Sequence, residues 1–112
     1  MQYFEKIHET EKSGFSIVVS VAPEDLHPRD MFDDSIDNIA DICDRIDRGL
    51  LHWFIVRVEA YKAGVLLGAD YLGGNLYDNA RQFITESGGY FDDMVHEAIN
   101  QARTKLEQLR AE

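Results

Sequence analysis

The chain is poor in the residues that build covalently or metal-stapled scaffolds. Cys43 is its one cysteine among 112 residues. An intramolecular disulfide and a zinc knuckle are thereby excluded, since both need several ligating or pairing side chains at fixed spacing. Both prolines, Pro23 and Pro28, fall in one short stretch, so helix-breaking rings are missing everywhere else. No apolar run approaches the roughly 20 residues of a membrane span, and no early apolar stretch resembles a signal peptide. No membrane partner is therefore expected, and the cytoplasm, a reducing compartment, is the default location. Repeats, low-complexity tracts and Ser/Pro/Gly-rich linkers are also missing. One domain over residues 1–112 is expected, long enough to form a core without staples.

Positive charge is the other shortage. Eleven Lys and Arg stand against 21 Asp and Glu, a formal net charge of −10. Long-range repulsion disfavours phosphate backbones and anionic membranes, and favours basic proteins. The basic residues are scattered. Only the tail gathers three, Arg103, Lys105 and Arg110, and Glu107 interrupts them, so direct nucleic-acid binding is not expected. A hydrophobic content of 45% with 29% charged residues belongs to a folded globular chain rather than a disordered one.

What the chain does have is a concentration of acid. Nine of its 21 acidic residues lie between Glu24 and Asp47. Within that segment Phe32, Ile36, Ile39, Cys43, Ile46 and Leu50 recur at intervals of four and three, the period of an amphipathic helix. Asp30 or Asp34 can cap its start and Gly49 its end. Asp30, Asp33, Asp34, Asp37, Asp41 and Asp44 then occupy an arc of roughly 100° opposite the apolar stripe. Cys43, inside that stripe, reads as a buried structural thiol.

The remaining elements follow from changes of period. Phe15, Ile17, Val19 and Val21 alternate as a strand that Pro23 ends. Leu51 to Lys62 alternates again, with Phe54, Val56, Val58 and Ala60 on one face and Trp53, Ile55, Arg57, Glu59 and Tyr61 on the other. Ala63-Gly64 turns the chain into a third strand from Val65 to Leu72. An even-length loop puts Val65, Leu67, Ala69 and Tyr71 on the apolar side, with Arg57 opposite Asp70 as a cross-strand ion pair. Gly73-Gly74 should break the sheet, and Asn75 should cap a short helix carrying Leu76, Ala80, Phe83 and Ile84. Gly88-Gly89 ends it, and Phe91 to Leu109 reads as a longer amphipathic helix of about five turns. The opening, Met1 to Ser13, reads as a short strand or helical turn that docks through Tyr3, Phe4 and Ile7. The expected class is α+β. A three-stranded antiparallel sheet in the order β-α-β-β-α-α carries helices on one face.

Catalytic constellations are not evident. His8, His27, His52 and His96 fall in different elements, and none begins a recognised motif. Asp92, Asp93, His96 and Glu97 are helical neighbours, but a bundle metal site needs a second such cluster. The acids instead suit a helix N-terminus. The Asp30 to Asp47 run lacks the central glycine and alternating ligands of a calcium loop. Leu72-Gly73-Gly74-Asn75 exposes amides but brings no lysine to hold a phosphate. No enzyme, metal or other cofactor is expected.

Two surfaces remain. From Asp30 to Asp44 the acids mostly rise roughly 4–6 Å from one to the next, on the order of the phosphate spacing along one DNA strand. In charge pattern the chain resembles the small acidic inhibitors of phages and plasmids, which imitate DNA to occupy a nuclease or surveillance complex. That resemblance implies an anti-defence protein-binding module whose partner is a basic protein or complex, contacted through Asp30, Asp33, Asp34, Asp37, Asp41 and Asp44. The second surface is the outer sheet face with Trp53, Ile55 and Tyr61, where aromatic and polar groups mix as in interface cores. It serves a partner or a homodimer, or lies under the N-terminal segment. The alternative to an inhibitor is a non-catalytic structural or adaptor protein whose charge serves solubility only.

Overall fold

The computed structural model describes residues 3–25 and 39–111. Strands β1 (Glu5–Lys12) and β2 (Phe15–Pro23) precede helix α1 (Ile39–Asp47). Strands β3 (His52–Lys62) and β4 (Val65–Tyr77) follow, then helices α2 (Gln82–Glu86) and α3 (Tyr90–Ala111). The strands form one antiparallel meander in the order β1-β2-β3-β4. The α+β class holds, but the sheet has four strands rather than three, and the order of elements among the described residues is β-β-α-β-β-α-α. The added strand is β1, which pairs with β2 from Glu5↔Val21 to Lys12↔Phe15. Ser13 and Gly14 close that hairpin with φ of 56° and 85°, the left-handed pair that a two-residue loop needs to match strand twist.

One face of the sheet is the core. Phe15, Ile17 and Val19 from β2 and Phe54, Val56, Val58 and Ala60 from β3 are buried with Met94, Val95, Ala98, Ile99 and Ala102 of α3. The alternation that made β2 and β3 legible therefore points at α3. Ile7 of β1 packs against the same cluster.

β4 departs from the expected register at two places. Its hairpin starts evenly, with Lys62↔Val65 and Tyr61↔Leu66, but Ala60 then pairs with Gly68. Leu67 is an extra residue on β4, a β-bulge that exchanges the faces of everything after it. Ala69 consequently lies opposite Glu59 and Tyr71 opposite Arg57, and the expected Arg57–Asp70 pair does not form. The bulge sets Gly68 under α3, where the helix backbone comes too close for any side chain. Gln101 on α3 accepts a hydrogen bond from the Ala69 amide at 3.0 Å.

The second irregularity lies at Gly73-Gly74. Val56 pairs with Leu72 and Phe54 with Asn75, so two β4 residues oppose Ile55 alone. These glycines bulge the strand instead of ending it. Asn75 is buried within β4 rather than capping a helix; its Nδ2 donates to the carbonyls of Phe54 at 3.1 Å and Leu72 at 2.6 Å. Those bonds satisfy a polar group that burial alone would penalise. The short helix starts only at Gln82, and Phe83 is its buried residue. Ser87 then bridges to α3, its Oγ accepting from the Phe91 amide at 3.1 Å.

Both sheet edges are blunted. β1 reads EKIHETEK with a register shift between Lys6 and His8, and charges and bulges oppose strand addition. On β4, Gln101 has taken the Ala69 amide. None of the described helices is long and apolar enough to cross a membrane.

Candidate interaction surfaces

Helix α1 carries the described part of the acidic row. Gly49, at φ 75°, ends it in a Schellman arrangement, with Gly49 N–H bonded to Ile46 O at 3.0 Å and Leu50 N–H to Arg45 O at 2.9 Å. Asp41 and Asp44 are exposed, and each is held by an arginine one turn on: Arg45 Nε to Asp41 Oδ2 and Arg48 Nε to Asp44 Oδ2, both 3.1 Å. The sequence carries this signal as acid-to-base spacing at i, i+4. The arginines offset part of the charge at this end of the row. Asp30, Asp33, Asp34 and Asp37 lie outside the described residues, as do Phe32 and Ile36.

The apolar stripe of α1 is shallower than its period implies. Ile39 is buried, whereas Ile42, Cys43 and Ile46 are half-buried and Leu50 is 59% exposed. Ile46 lines a groove of about 520 Å³ at the end of the sheet with Tyr3, Val21, Leu51, Trp53 and Ala80. The expected buried thiol is thus corrected to a partly accessible one. Thiol labelling of native protein should run within about tenfold of the denatured rate; protection a thousandfold stronger would contradict this exposure.

The face of the sheet away from α3 gathers the other candidate residues. Trp53, Ile55 and Tyr61 are all half-buried there. Phe4, just before β1, lays its ring 4.2 Å from the Arg57 guanidinium carbon and meets the Tyr71 ring edge-on at 6.2 Å. The N-terminal segment thus covers Arg57, while Tyr3 is 84% exposed. Arg57 Nε stands 3.1 Å from Glu59 Oε1 without the alignment of a hydrogen bond. Glu59 is 6% exposed, so the cation stacked under Phe4 is what makes its burial tolerable. Burial raises the Tyr61 phenol above its ordinary pKa. The Glu59 carboxylate adds to that rise through its charge and by accepting the phenol's hydrogen bond, and Arg57 opposes it. Leu66 and Tyr71 stay 48% and 58% exposed on the same face.

The chain matches no family model, no curated protein and no solved structure.

Among the described residues, no three His, Cys, Asp or Glu side chains are grouped to hold a metal ion. Asp92 and Asp93 occupy the exposed first turn of α3, where the helix dipole favours acids.

Proposed function

We propose that the chain is a non-catalytic acidic protein-binding module, an inhibitor that sets a row of carboxylates into a basic groove of a nucleic-acid-handling protein or complex. The observation that carries this reading is the concentration of nine of 21 acids within Glu24–Asp47. The exposure of Asp41 and Asp44 on α1 supports it. Their pairs with Arg45 and Arg48 do not oppose it, because exposed i, i+4 pairs are worth only about 0.3–0.5 kcal/mol and exchange readily for a partner's cations.

A contact built this way depends on screened charge. Partners captured on the tagged protein at low salt should be lost at high salt. Neutralising Asp33, Asp34, Asp37, Asp41 and Asp44 to Asn should weaken capture stepwise and leave the melting temperature unchanged or higher. Short duplex DNA should displace the protein from a partner that handles nucleic acid. A complex indifferent to salt, to DNA and to the Asn series would end the mimicry reading.

A further inference from the structure

The groove at the end of the sheet has a volume of about 520 Å³, within the size range of ligand sites. Its wall is apolar, with Val21 of β2, Ile46 of α1, and Leu51 and Trp53 around the start of β3. It is open to solvent. Tyr3 at its rim is 84% exposed, Glu5 and Gly49 are exposed too, and Ile46, Leu51 and Trp53 keep part of their surface accessible. Among the described residues that line it, Glu5 is the one acid, and there is no Lys or Arg. The Glu5 carboxylate has no ion-pair or hydrogen-bond partner among the described residues. The cations next to the groove in sequence are engaged elsewhere: Lys6 Nζ stands 3.2 Å from Glu9 Oε2, and Arg48 Nε 3.1 Å from Asp44 Oδ2. Ile46 and Gly49 also bring the C-terminal end of α1 to this place, the negative end of its dipole. The groove is thus apolar within and negative at its rim.

We propose that this groove binds a segment of the basic partner in which an arginine stands beside a large apolar residue. The apolar side chain enters between Ile46, Leu51 and Trp53, and the guanidinium rests at the rim on Glu5 and Tyr3. Arginine matches that rim better than lysine does, because a planar guanidinium pairs with a carboxylate through two N–H groups and stacks on an aromatic ring. The net charge of −10 draws such a segment in from a distance. The occupant rests on the reading of the partner as a basic protein. The groove opens where α1, the helix of Asp41 and Asp44, comes to its end, so a partner laid along those carboxylates reaches it without a break in the contact. Carboxylates in a row supply attraction with little choice among basic partners. A pocket that must be filled by an apolar anchor supplies the choice, as buried anchors do at other interfaces.

Titration of the isotope-labelled full chain with blocked dipeptides, followed by amide and indole resonances, tests this. N-acetyl-arginyl-phenylalanine amide, added to about 5 mM, should shift the Trp53 indole and the Gly49 and Leu51 amides. Exchanging its arginine for citrulline, which keeps the shape and removes the charge, should weaken binding about threefold to tenfold. Exchanging its phenylalanine for alanine should weaken it at least about tenfold. E5Q, a change at an exposed position, should bring the arginine dipeptide down to the level of the citrulline one and leave the citrulline one unchanged. That coupling separates a direct contact at Glu5 from a general effect of charge. No shift at these residues, equal binding of the arginine and citrulline dipeptides, or E5Q binding the arginine dipeptide as the wild type does would each overturn the proposal. D41N/D44N should leave dipeptide affinity within about twofold, since a dipeptide spans only the groove; a larger loss would place the binding on the acidic row and overturn the proposal as well. The dipeptides probe the groove alone, and the salt, DNA and Asn series probe the row alone, so the two readings fail separately.

Discussion

Replacing Gly68 by valine should cost at least about 3 kcal/mol and lower the melting temperature by about 12 °C or more, the upper range for overpacking a close contact. Gly68 is not needed here for a left-handed backbone, since its φ lies outside that region. It is needed for space. A Cβ built on it would collide with the Ala98 carbonyl oxygen and stand 3.0 Å from the Ala102 amide nitrogen. Both are backbone atoms of α3, so no rotamer change relieves the clash and the helix itself must lift. Lifting it would open the layer around Ala98 and Ala102, both fully buried, and break the Gln101–Ala69 hydrogen bond. Gly73→Ala is the matched control, because there the nearest obstruction is the Glu24 carboxylate, a side-chain end that can shift without moving a helix, at the cost of the 2.9 Å hydrogen bond it accepts from the Gly74 amide. Thermal unfolding of the two variants would settle the matter: equal, small losses would mean that α3 does not sit on β4 this closely.

The bulge that brings Gly68 under the helix marks the limit of what alternation could reveal. Residues 15–21 and 53–61 announced themselves as strands because one face is uniformly apolar, and that face is the one buried against α3. β4 has no such face. Its bulges at Leu67 and Gly73-Gly74 change which residues point inward, so the even register placed Asp70 where Tyr71 sits. Neither bulge carries a local signature beyond the glycines, which read equally well as a strand end. β1 was half visible: six of its eight side chains are charged or His, as suits an edge strand but not a pattern search for apolar alternation. The Ser13-Gly14 turn was the available signal, being followed directly by a clear strand.

The surfaces were legible to a similar depth. Strand alternation placed Trp53, Ile55 and Tyr61 on the face away from the core, and Phe4 was among the residues expected to cover it. The stacking of Phe4 on Arg57, and the Glu59 burial that depends on it, join residues more than 50 positions apart. No spacing within one element could have joined them. The Asp41–Arg45 and Asp44–Arg48 pairs could have been read from sequence, and they qualify the picture of an uninterrupted acidic row.

Truncating Phe83 to alanine should destabilise the chain by about 3–5 kcal/mol. α2 has only five residues, too few for a helix to persist on its own propensity. Its position rests on a fully buried phenyl ring that meets Tyr77 edge-on at 6.0 Å and Phe91 edge-on at 6.4 Å. Tyr77 ends β4 and Phe91 lies in the first turn of α3, so this ring joins the far end of the sheet to the start of the helix that covers it. Alanine would remove both aromatic contacts and leave a cavity whose walls belong to three separate elements and cannot close together easily. The fall in melting temperature should be about 12–25 °C, and amide exchange should quicken first in α2 and the first turns of α3. Tyr90→Ala, at a ring 61% exposed one residue before Phe91, should shift the melting temperature by no more than a few degrees. Were the two variants to melt alike, Phe83 would not be the anchor of this corner, and the Ser87–Phe91 hydrogen bond would have to hold α2 in place instead.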